Sequence, residues 1–214
     1  MLHKESHIVS AETFLLIQQL EALPELNDFI LVRGTALALQ LGHRNSLDID
    51  LFSQIDFDYV LLTDFLTKKF SFKETFVRKN TIIGFINKIK VDFITHPYKY
   101  VRPPITEEGI TFLSKEDIAA MKLNAIINSG QRLKDFIDIY FLLEHFSIKD
   151  MLDFFETKYP NTNPLIALKA VSYFGDIDET IDPPKLPKPL PLKKITERIN
   201  KAVIKANKIF KSDE

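Results

Sequence analysis

Between Leu47 and Phe52 the chain reads LDIDLF, apolar and acidic residues alternating as far as Leu51. A period of two is the pattern of a half-buried β-strand, with Leu47, Ile49 and Leu51 on one face and Asp48 and Asp50 on the other. This run restricts the fold more than any other. Two carboxylates on one face of one strand repel, and burial raises the cost of each charge. A hard divalent cation with an oxygen shell relieves both costs. A third acid stands in KVDFIT (90–95), again flanked by apolar residues in a strand-like run. If the two strands are neighbours, Asp92 joins Asp48 and Asp50 around two metal ions.

The segment just before this run suggests what the metals would act on. FILV (29–32) reads as a short buried strand that breaks at Gly34, and Thr35–Leu41 has helical propensity with a stop at Gly42. A glycine at a strand-to-helix junction lets a phosphate approach the backbone, and the helix start offers unpaired N–H groups. The Thr35 hydroxyl adds one more donor, so Gly34 and Thr35 are expected to bind nucleotide phosphates. His43 and Arg44 follow the helix end, where cations suit the dipole, and Arg44 is also placed to reach a phosphate.

The rest of the chain reads as a mixed α/β fold, with helices flanking a mixed β-sheet and a helical C-terminal half. A helix opens at Ser10 and stops at Pro24, and a second spans Asp58 to Phe70. Three β-rich runs follow, Phe72–Val77, Thr81–Ile86 and Ile89–Thr95, whose short polar breaks suit an antiparallel meander. From Ser114 the pattern is helical, with SKED (114–117) as a capping box in outline and helices over 115–128, 133–145, 148–158 and 163–173. PPKLPKPLP (183–191) reads as an extended linker. Residues 192–211 read as a basic amphipathic helix with Ile195, Ile199, Val203 and Ala206 on one stripe. Its basic face carries Lys194, Arg198, Lys201, Lys205 and Lys208, and offers itself to RNA. The expected division is a catalytic α/β domain over 1–104, a helical domain over 105–182 that completes the active site, the linker 183–191 and the tail 192–214.

Composition removes several alternatives. The net charge of −1 gives no global attraction to nucleic acid or membrane, so any basic surface is local. The absence of cysteine excludes disulfides and thiolate metal sites. No apolar run has the length of a membrane span, and MLHKESHIVS lacks the apolar core of a secretory signal, so a cytoplasmic location is expected.

Gly34-Thr35, twelve intervening residues, Asp48-Ile-Asp50 and the later Asp92 strand form an ordered set. That set resembles the signature of the polymerase-β-type nucleotidyltransferases. More narrowly, LVRGTALALQLGHRNSLDIDLF resembles the first motif of the AbiEii/AbiGii family of nucleotidyltransferase toxins. LSKEDIAAMKLNAIINSGQRLKDFIDIYFLL (113–143) is similar to that family's helical motif, a Lys followed downstream by Lys-Asp-x-x-Asp. The resemblance covers about residues 28–145. Two positions depart from it: Arg33 replaces the first of two glycines, and Ser129 sits where an Arg is common.

The resemblance implies transfer of a nucleoside monophosphate from an NTP to an acceptor, with Mg²⁺ or Mn²⁺ as cofactor. Related toxins modify the acceptor end of tRNA and are countered by a cognate antitoxin. By motif position Asp48, Asp50 and Asp92 hold the metals, with Asp92 helping to activate the acceptor hydroxyl. Lys122 contacts the triphosphate, Asp135 belongs to the second half of the site, and Asp138 lies one helical turn on. Two other readings stand beside this one: transfer to a protein side chain, as in AMPylating relatives, and a non-catalytic fold that binds a partner or RNA. For single residues the plain alternatives are a solvated Lys122 and surface charges at Lys134 and Asp135.

Overall fold

The computed structural model, which describes residues 1–212, places the acidic run at the centre of a sheet. Among these residues seven strands pair in the order β3 (Lys73–Arg78), β4 (Thr81–Ile86), β5 (Ile89–Thr95), β2 (Ile49–Ser53), β1 (Phe29–Leu31), β7 (Ile110–Phe112) and β6 (Ile105–Glu107). All five residues of β2 are buried, as its central place requires, whereas β3 at the edge is mostly exposed. The meander β3–β4–β5 is antiparallel, and its turns place Asn80, Asn87 and Lys88 at positive φ, the conformation tight hairpins demand. β5 then lies parallel to β2, and β2 antiparallel to β1.

The β6–β7 hairpin was not expected from the sequence. Its strands are three residues long, too short to show a period, and follow Pro103-Pro104. The turn residues Glu108 and Gly109 both take positive φ, so the hairpin rests on turn chemistry more than on strand pattern. It carries the first of two compact units, Met1–Lys99 with Pro103–Leu113, beyond residue 104.

Among the described residues three α-helices belong to this unit. α1 (Ala11–Glu21) is capped by the Ser10 hydroxyl, which accepts from the Thr13 amide. α2 (Arg33–Leu41) ends on Gly42 at φ +61 and begins at Arg33, two residues ahead of the start suggested by sequence. α3 (Tyr59–Phe70) begins where the Asp58 carboxylate accepts from the Val60 and Leu61 amides.

The second unit joins Tyr100–Arg102 to the chain from Ser114 onward. It contains α4 (Lys115–Asn128), α5 (Leu133–Leu142), α6 (Ile148–Lys158), α7 (Pro164–Val171) and α8 (Leu192–Ile204). Ser114 caps α4, its hydroxyl accepting from the Asp117 amide, but the Asp117 carboxylate is committed elsewhere than to the reciprocal bond of a capping box. The fully buried Asp117 carboxylate accepts from the Val101 and Arg102 amides at 3.0–3.1 Å and from Lys158 Nζ at 2.7 Å.

The tail departs from its reading. α8 stops at Ile204, seven residues short of 211, because the chain beyond it bonds elsewhere: the Lys149 amide donates to the Ala206 carbonyl and the Phe210 amide to that of Leu143. The buried stripe is Ile195, Ile199 and Ala202, with Val203 half-buried and Ala206 exposed. Arg198 is buried too. Its guanidinium donates to Glu144 at 2.7 Å and stacks 3.6 Å from the Tyr140 ring centre, so it does not belong to a solvent-facing basic surface. Among the described residues no helix is long and apolar enough to cross a membrane.

Candidate active site

β2 and β5 run parallel in a register that sets Asp50 beside Asp92. Both side chains are close to buried, at 11% and 5% exposure. The like charges are answered by two cations of the same unit. Arg33 Nη1 donates to Asp50 Oδ1 at 2.9 Å, and Lys90 Nζ donates to Asp92 Oδ2 at 2.7 Å. Lys90 precedes Asp92 by two residues on β5 and so shares its face, a spacing visible in the sequence. The Arg33 pairing had no such signal, since it joins two elements.

One oxygen is left over. Asp92 Oδ1 is buried and has no hydrogen-bond partner among the described residues. Burial pushes the Asp92 carboxyl above the usual carboxylate range; Lys90 opposes that shift, and the charge of Asp50 adds to it. A buried carboxylate oxygen without a donor is costly unless something positive meets it. Adjacent carboxylates with one such oxygen fit a hard divalent cation, and magnesium is commonly held by one or two carboxylates with substrate phosphates and water completing the shell.

Asp48 stands one residue ahead of β2 and is half-buried. Among the described residues no three His, Cys, Asp or Glu side chains gather closely enough to hold a metal ion. The structure thus brings Asp50 and Asp92 together and does not draw Asp48 into a three-carboxylate cluster with them.

The Gly34-Thr35 corner is built differently from the sequence expectation. The Thr35 side chain is buried, its hydroxyl donating to the Asp48 carbonyl and lying 2.8 Å from the Ser46 hydroxyl. Its single proton is thereby engaged in pinning the residue ahead of β2, not in facing a phosphate. Gly34 is needed for close approach, but the group that approaches is Arg44. A Cβ at Gly34 would lie 2.6 Å from Arg44 Nη2. Arg44 is buried and donates to the Asn45 carbonyl at 2.8 Å. Its head therefore sits at the start of α2, the positive end of that dipole, and not at the C-terminal end where a structural cation would settle. Positive charge concentrated there suits an anionic ligand.

In the second unit Lys122, Asp135 and Asp138 converge. Lys122 Nζ lies 2.8 Å from Asp135 Oδ1 and 2.6 Å from Asp138 Oδ2, and all three side chains are buried. Arg132 Nε stands 3.8 Å from Asp135 Oδ2. These are neither solvated nor surface charges, which corrects the plain readings of Lys122 and Asp135. Lys134 pairs with Asp182. Ser129 is exposed at the C-cap of α4.

Two solved structures share this architecture. An H. pylori structure described as a proposed nucleotidyltransferase superposes with a TM-score of 0.59 at 15% identity, covering 95% of this chain and 96% of that one. JHP933 from Helicobacter pylori gives 0.55 at 16%, covering 96% and 93%. The fold is that of the nucleotidyltransferases. Family assignment comes from sequence: the model of the family described as nucleotidyl transferase AbiEii toxin, type IV toxin–antitoxin system, matches residues 15–208. The chain belongs to this family of nucleotidyltransferase enzymes. A relative from Aquifex aeolicus (strain VF5), the uncharacterized protein aq_aa25, is 31% identical over 171 residues, 77% of this chain and 82% of that one.

Proposed function

We propose that the chain transfers a nucleoside monophosphate from an NTP to the acceptor end of tRNA, releasing pyrophosphate, and that a cognate antitoxin opposes it in the cytoplasm. The observation that carries this reading is the registered Asp50–Asp92 pair with its partnerless buried oxygen. Mg²⁺ or Mn²⁺, held by Asp50 and Asp92 with Asp48 as a further ligand, would offset the charge that develops on the triphosphate. The start of α2, with the Arg44 guanidinium packed beside Gly34, would present positive charge to the phosphates. The acceptor hydroxyl attacks the α-phosphorus, the bond to pyrophosphate breaks, and Asp92 takes the hydroxyl proton. Lys122 and Asp135 enter this reading by motif position, and a role toward nucleotide requires their buried pair to exchange partners.

The test supplies Mg²⁺ and each α-labelled NTP in turn, with total RNA in one arm and RNA-free protein extract in the other. Label from a preferred NTP in RNA of tRNA size is the expected result. Label in protein alone would move the acceptor to a side chain, as in AMPylation. Label in neither arm would overturn the proposed reaction.

A further inference from the structure

Arg33 is the first residue of α2 and adopts φ +57, a conformation favourable to glycine and disfavoured for a side chain with a Cβ. From there its guanidinium reaches the Asp50 carboxylate at 2.9 Å. It also lies 4.7 Å from the ring centre of Phe52, two residues beyond Asp50 on the same face of β2. Strain at the backbone is thus accepted to seat a cation on one of the two registered acids. We propose that Arg33 is a displaceable counter-ion of Asp50, competing with a divalent cation for that carboxylate and setting the cation concentration at which the site loads.

The inference rests on the metal-dependent reading above. Three features make the pairing exchangeable. The Arg33 side chain is 43% exposed, so solvent reaches it, and its release gives up the contact over the Phe52 ring rather than a fully buried position. The contact to Asp50 is a single Nη1–Oδ1 bond, not the two-pronged fork a guanidinium makes when fixed. Guanidinium also keeps its charge across the accessible pH range, so only another cation or an anionic ligand relieves the pair. Lys90, by contrast, binds Asp92 through Oδ2 and leaves Oδ1 open, so the competitor that matters is the one on Asp50.

The test is calorimetric titration of the full chain with MnCl₂, without nucleotide, for the wild type, Arg33→Gly, Asp50→Asn and the double variant. Glycine suits the backbone angle, so Arg33→Gly keeps the fold. Arg33→Gly is expected to bind Mn²⁺ about two- to fivefold more tightly than the wild type, the range of a half-exposed ion pair. That gain should vanish in the Asp50→Asn background, because the two residues act on one carboxylate. Equal or weaker binding by Arg33→Gly overturns the proposal alone, as does a gain that survives Asp50→Asn. No Mn²⁺ binding by either the wild type or Arg33→Gly overturns this inference, whereas label transfer that survives removal of divalent cations overturns the metal-dependent reading beneath it.

Discussion

Glu21, at the end of α1, takes a hydrogen bond from the Thr111 amide at 3.3 Å through one oxygen, while its other oxygen is buried without a partner. Burial pushes its carboxyl from 4.5 up to about 7, against smaller opposing effects of backbone hydrogen bonds from Thr111 and Leu31. Between those values the folded chain keeps a proton that the unfolded chain has released, so stability falls as pH rises through that window. The contribution is complete below 4.5 and gone above 7. Glu21→Gln should therefore stabilise the protein by about 1–2 kcal/mol at pH 8 and leave it unchanged at pH 4. Urea unfolding at both pH values measures the difference, and an equal effect at both would contradict the assignment. The same weighing of burial against partners separates the other charges. Lys122 has two buried carboxylates to meet it, whereas Asp92 keeps an oxygen that no described residue satisfies.

At the scale of elements, α8 shows what a sequence can and cannot disclose. Its amphipathic stripe is legible, because Ile195 and Ile199 fall on the period of a helix and both are fully buried. Where it ends is not legible, since the stop is set by bonds from residues 149 and 210 to distant backbone partners. The basic face was misread at Arg198 for a related reason. Burial of an arginine depends on an aromatic ring and a carboxylate brought from α5 and the segment after it, which no local pattern encodes. β4, β5, α4 and α6 coincide with their expected spans because each has a full period or a clear cap. The pairing of Asp50 with Asp92 on neighbouring strands was legible, but their counter-ions were not, apart from the i−2 spacing of Lys90. If α8 is part of the core of its unit, Ile199→Ala should cost about 2–4 kcal/mol in thermal or urea unfolding. A loss below about 0.5 kcal/mol would instead make α8 a loosely held arm, as a solvated surface substitution behaves.

Across the whole molecule, a net charge of −1 leaves long-range attraction to polyanions weak, so the proposed recognition of RNA would have to come from local positive surface and from the site itself. Membership of the AbiEii family fixes the class of enzyme, and the register of β2 on β5 fixes where its acids meet. In the proposed reaction this meeting point is the reaction centre. That assignment is tested most directly by counting pyrophosphate released against label transferred, with Mg²⁺ and the preferred NTP, for the wild type and Asp92→Asn. The substitution keeps the side-chain shape and removes a buried charge that repels Asp50, so the variant should melt at or above the wild-type temperature. Transfer and pyrophosphate release should be stoichiometric in the wild type and fall together by about 10²–10³-fold or more in the variant. A folded Asp92→Asn protein that transfers label at the wild-type rate would place the chemistry elsewhere.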